Sequence, residues 1–154
     1  MAHYIFNLVS ADASERSRLR ETAARFLRVA MWGIDEGERH RSALAPGDLV
    51  LVYLGSPARE FIGRAELATA VHDWTPSEAE VYPGGSPSGV LLSQVEEWDP
   101  AVPMATVVQR IDPSASNPHV QANAAAGFQR GVVLITGDEY EAAVAISREA
   151  RTGT

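Results

Sequence analysis

The chain has 154 residues, 45% of them hydrophobic, enough to bury one sizeable core and too few for two ordinary domains. Cysteine is absent and all 13 basic residues are arginine, which excludes disulfides, thiolate zinc sites, and cysteine or lysine nucleophiles. A net charge of -7 argues against a protein that coats nucleic acid non-specifically, because that affinity comes from phosphate neutralisation, although screening over about 8 to 10 Å leaves room for a local basic patch.

His3 to Val9 reads as a first strand, and Asp12 with Glu15 then offers a capping box that starts a helix. In that helix Leu19, Ala23, Phe26 and Ala30 share one face, with Arg18, Arg25 and Arg28 roughly opposite on a solvated face. Gly33 ends the segment just after Trp32, and Ile34 to Arg41 is a polar, charged loop. Ala45-Pro46-Gly47-Asp48 is a turn into the strand Leu49 to Leu54, which is apolar on both faces. After Gly55-Ser56-Pro57, Phe61 to Val71 forms a partner strand whose Gly63 marks a bulge or a close backbone approach.

Thr75-Pro76-Ser77-Glu78 has the form of a short helix start, Tyr82 to Gly89 is a Gly/Pro/Ser loop, and Val90 to Val95 is the next strand. Asp99-Pro100 and Val102-Pro103 punctuate the way to a short segment, Ala105 to Ile111, and Asp112 to Gly127 reads as a surface excursion. Gly131 to Ile135 is a short strand. Thr136 to Glu139 then caps a last helix lined on one side by Tyr140, Ala143, Val144 and Ser147, with fraying expected beyond Glu149. Hairpin-like strand connections with helices near both ends favour an α+β barrel-like domain over a doubly wound sheet. One domain over 1–150 with a disordered tail at 151–154 is expected. No apolar run of eighteen residues occurs, and Met1 to Val9 lacks a basic flank and apolar stretch, so no membrane association and a cytoplasmic location are the expectation.

The residues offer little to catalysis. His3, His40, His72 and His119 are not spaced to put two ligands on one helix face, so neither a metal nor a cofactor is expected. There is no Gly-x-Ser-x-Gly elbow, and a phosphate-cradling loop would need a lysine this chain lacks. Glu96-Glu97 and Asp138-Glu139 sit beside a turn and at a helix N-terminus, where carboxylates favour solvent and the helix dipole. A non-enzyme is the expectation. Trp32, Trp74 and Tyr82 remain, flanking loops, either as packing anchors or as stacking surfaces.

Trp32-Gly33-Ile34, then Leu44 to Tyr53 with its Pro46-Gly47-Asp48 strand entry, then Phe61-Ile62-Gly63-Arg64-Ala65-Glu66-Leu67 occur in an order that resembles the EVE domain family. Tyr4-Ile5-Phe6-Asn7 is similar to that family's first strand, and Arg130-Gly131-Val132 with Ile135-Thr136 and Glu139-Tyr140 to its closing strand and helix. The family has a PUA-like fold and is related to the YTH domain. The resemblance implies a β-barrel of about five to six mixed strands flanked by helices. It further implies that the chain reads a modified base, of the 5-methylcytosine type in DNA more than in RNA.

By that resemblance Trp32 is the first wall of an aromatic pocket, with Gly33 and Ile34 beside it, and Tyr82, or else Trp74, is the second. Asn7 and Ser10 offer polar groups to the base edge, with Asn7 standing where a lysine is frequent among relatives. Tyr53 lies on the strand expected to floor the pocket, and Arg39, His40, Arg41 and Arg130 are candidate phosphate contacts. A base stacked between rings gains on the order of 1 to 3 kcal/mol. The competing readings are a free-nucleoside or other small-molecule binder, and an RNA-binding domain for N6-methyladenine-like bases.

Overall fold

The computed structural model describes residues 1–8, 18–55, 58–112 and 131–152. β1 (His3–Leu8) lies parallel to β3 (Leu49–Leu54) in a register running from His3 opposite Leu49 to Leu8 opposite Leu54. β4 (Glu60–Leu67) pairs antiparallel with β3, and β6 (Ser88–Pro103) pairs antiparallel with β4. β7 (Val132–Ile135) closes the other side against β1. The short β2 (Met31–Gly33) and β5 (His72–Asp73) both pair with the first residues of β6. The seven-stranded mixed sheet runs β2-β6-β4-β3-β1-β7, with β5 also on β6, and curls into a half-barrel flanked by helices. It holds more strands than the sequence suggests because β2 and β5, at three and two residues, are too short to show a period.

Alternation along the central strands divides the apolar residues between two cores. Tyr4, Phe6, Val50 and Val52 face one side, where α1 (Leu19–Val29) packs Leu19, Ala23 and Phe26 against them. Ile5, Leu51 and Tyr53 face the other, under α3 (Met104–Ile111) and α4 (Gly137–Thr152). Both faces are covered, which is why β3 is apolar on both. Each fully buried large side chain contributes roughly 1.5 to 3 kcal/mol.

The curl has local causes. Gly63 lies against β6 so closely that a Cβ there would meet the Glu96 carbonyl, and the β4–β6 register slips on either side of it. Gln94, with φ of 50°, falls within the second slip. β6 continues well past Val95, contrary to the expected break at Asp99-Pro100. Pairing with β4 skips from Glu97 to Val102, and Pro100 sits in that gap, where no ladder N–H is required.

α1 ends at Ala30, in the left-handed region at φ 57° with its N–H bonded back to the Leu27 carbonyl, and not at Gly33. The expected cap residues Asp12 and Glu15 lie outside the described residues. α2 (Pro76–Val81) carries a full capping box, Thr75 and Glu78 bonding each other's backbone N–H. Thr136 and Glu139 make the same exchange before α4, which runs to Thr152 and so past Glu149 and into the expected tail. Among the described residues no helix is long and apolar enough to cross a membrane.

Candidate functional site

At the edge of the first core a cavity of about 300 Å³ opens between the end of β1, the last turns of α1, β2, the segment 82–86 and the start of β7. Trp32 stands at its base. Pairing of β2 with β6 sets Trp32 opposite Val90, and its ring is only 4% exposed, stacked on Phe6 at 5.8 Å and meeting the edge of Phe26 at 5.2 Å. Tyr82 follows directly on α2 and lies against Phe26 at 5.4 Å, nearly parallel. Its hydroxyl accepts the Gly33 N–H at 3.0 Å. Burial, more than the nearby Asp35, raises the Tyr82 pKa, against the lowering effect of the Gly33 hydrogen bond. The phenol therefore stays neutral and retains a proton to donate.

Trp74 does not line the cavity. Its ring backs Tyr82 at 4.9 Å, and its indole N–H donates to the Ser86 carbonyl at 2.9 Å, so it braces the Tyr82 wall from behind. Gly33 and Gly89 make this arrangement possible. A Cβ on Gly33 would strike the Tyr82 hydroxyl and Ser86, and one on Gly89 would strike the Trp32 carbonyl and the Trp74 ring.

The polar lining is unlike a core. Asn7, 5% exposed, is held by its backbone N–H on the Gly131 carbonyl at 2.8 Å, while both side-chain amide atoms are buried without a hydrogen-bond partner. Across the cavity Asp35 accepts from the Ser86 hydroxyl at 2.8 Å, and Glu38 accepts from the Val132 N–H at 3.2 Å. Ile34 is buried and fixed twice to Ser88, through its own N–H at 2.9 Å and its carbonyl at 3.0 Å.

The structure thus brings Asn7, Trp32, Gly33, Ile34 and Tyr82 together around one space, and leaves other expected residues out. Tyr53 is a correction. Its side chain packs 5.1 Å from Phe61 in the second core, because on β3 the even residues Val52 and Leu54 face the cavity side and the odd ones turn away. Arg41 is half-buried and donates to the Ser88 hydroxyl at 2.9 Å, so it braces the loop that carries Ile34 without lining the cavity. The His40 ring lies 5.9 Å from Tyr4, and Arg39 is exposed to solvent. Ser10 and Arg130 lie outside the described residues. Phe26, whose helical spacing reads as core, and Asp35 and Glu38, in a stretch that reads as a charged loop, also line the cavity. Among the described residues no group of three or more His, Asp or Glu is placed to hold a metal.

No protein-family model and no curated protein matches this sequence. Solved structures do share its fold. Human THYN1 in complex with 5-methylcytosine-containing DNA superposes at a TM-score of 0.56, with 12% identity over 96% of this chain and 98% of the other. The YTH domain-containing protein mmi1, in complex with RNA, gives 0.55 at 12% identity over 99% and 88%. The ASCH protein of Zymomonas mobilis gives 0.53 at 13% identity over 95% and 96%. At these identities the likeness shows an α+β, PUA-like fold.

Proposed function

We propose that this chain is an EVE-type reader that takes one modified base of a nucleic acid into the cavity beside Trp32 and Tyr82 and binds it without transforming it. The observation that carries the reading is Asn7. A buried amide with neither atom bonded costs about 1 to 3 kcal/mol of stability, and a base edge entering the cavity supplies the missing donor and acceptor. Around it Trp32, Phe26 and Tyr82 supply the apolar part of a lining whose polar groups can meet the edge of a base taken out of its stack. The fold-sharing complexes with methylated DNA and with RNA support a nucleic-acid partner. A methylated cytosine in DNA is the first base to test, and the exposed Arg39 is the phosphate contact this reading assigns.

The test is binding of matched oligonucleotides with and without a single methylated base, repeated across salt concentrations. A reader prefers the modified strand, and its binding constant falls with salt at a log–log slope near -0.7 per neutralised phosphate on single strands. A flat salt response with equal binding of the free nucleoside would instead assign a small-molecule site.

A further inference from the structure

The described lining of the cavity contains the carboxylates of Asp35 and Glu38, the Asn7 amide and the hydroxyls of Tyr82 and Ser86, but no guanidinium or imidazole. Among the described residues each carboxylate accepts one hydrogen bond, from the Ser86 hydroxyl and the Val132 N–H respectively, although a carboxylate offers about four lone-pair sites. The described lining therefore has spare acceptors, and those acceptors are carboxylates. Beside them stand three aromatic rings, whose faces attract cations through their quadrupoles.

An ordinary cytosine or adenine matches this lining poorly. The Watson–Crick edge of cytosine carries one amine donor and two acceptors, N3 and O2, and an acceptor turned toward a carboxylate is repelled. Methylation at the ring nitrogen of that edge removes the N3 acceptor and leaves the base positively charged at neutral pH, while the exocyclic amine remains a donor. From the carboxylates, the rings and the unpartnered Asn7 amide, we infer that the cavity selects a base methylated on a Watson–Crick ring nitrogen, N3-methylcytosine or N1-methyladenine, over its neutral isomers. The amine donates to Glu38 or Asp35, the charge lies beside the rings, and the Asn7 amide meets O2 of N3-methylcytosine or N7 of N1-methyladenine. This inference rests on the reading that the cavity holds a base.

Isomer pairs test it, because at neutral pH they carry the same methyl group on the same base and differ by one proton and hence in charge. Short single-stranded oligonucleotides carrying N3-methylcytosine or 5-methylcytosine, and N1-methyladenine or N6-methyladenine, are titrated with the intact protein at neutral pH. The cationic isomer is expected to bind roughly 3- to 30-fold tighter within each pair. Glu38→Gln keeps an oxygen for the Val132 N–H, and with Asp35→Asn it should pull that ratio toward one, a readout that loss of folded protein does not move. Equal or tighter binding of the neutral isomers overturns the charge selection and leaves the base reader standing. Failure of all four modified bases to bind above their unmodified parents overturns both.

Discussion

The two faces of the sheet carry comparable aromatic weight and use it differently. On the face covered by α3 and α4, Tyr53, Phe61 and Trp98 are sealed under helices. On the other face, contacts run from Phe6 to Trp32, Phe26, Tyr82 and Trp74, passing from the buried core to half-buried Tyr82 on the cavity wall and Trp74 behind it. Ring content does not separate a core from a site. What separates them is the company the rings keep: an unpartnered Asn7 amide, carboxylates, and glycines that let side chains approach the backbone.

The largest effects come from removing one tryptophan from each face. Trp98→Ala and Trp32→Ala should each cost about 3 to 5 kcal/mol in denaturant unfolding, since both rings are almost wholly buried. They should part company in binding. Trp98→Ala, measured on the folded fraction, keeps its affinity for the modified strand, while Trp32→Ala loses it. Equal retention would break the distinction between the faces.

A smaller change sharpens it. Gly33→Ala places a methyl against the Tyr82 hydroxyl and Ser86 and displaces the Tyr82 wall. Loss of the Gly33–Tyr82 hydrogen bond should lower stability by about 0.5 to 1.5 kcal/mol. Affinity should fall by about three- to tenfold.

The smallest effect is on pH. His72 bonds Glu78 at 2.9 Å and so ties α2, which leads into Tyr82, to β5. The Ala70 carbonyl and the Glu78 carboxylate raise the His72 pKa, and the Thr75 N–H and His72 lower that of Glu78. The imidazolium's contribution is complete below the unfolded histidine pKa and disappears as pH rises through the higher folded value. The carboxylate's is complete above the unfolded glutamate pKa and disappears as pH falls through the lower folded value. Protection of the α2 amides from hydrogen exchange should therefore be greatest between these limits, and His72→Gln should remove the loss on the alkaline side.

Much of this was legible in the sequence, where the local signal was strong. The β1 and β3 strands, the close approach at Gly63, and the capping pairs Thr75–Glu78 and Thr136–Glu139 follow from spacing alone. Asn7 and Trp32 stand out through their order along the chain, and the structure brings them to one cavity. Which parity of β3 faces the cavity was not legible, because tertiary packing decides it, and Tyr53 was assigned to the wrong face. Nor was the role of Phe26, whose helical spacing is the same whether its ring meets protein or ligand. The prolines around β6 read as breaks because the bulge that tolerates them is formed by pairing with a distant strand.

The most direct test is Asn7→Leu, with unfolding free energy and affinity for a modified oligonucleotide measured side by side. Leucine fills a similar volume and removes a buried amide that has no partner in the free protein. The account predicts stability unchanged or raised by up to about 1 to 3 kcal/mol, with affinity reduced about tenfold or more. A variant that is less stable and still binds the modified base as well as the parent would contradict it, since Asn7 would then serve the fold and not the ligand.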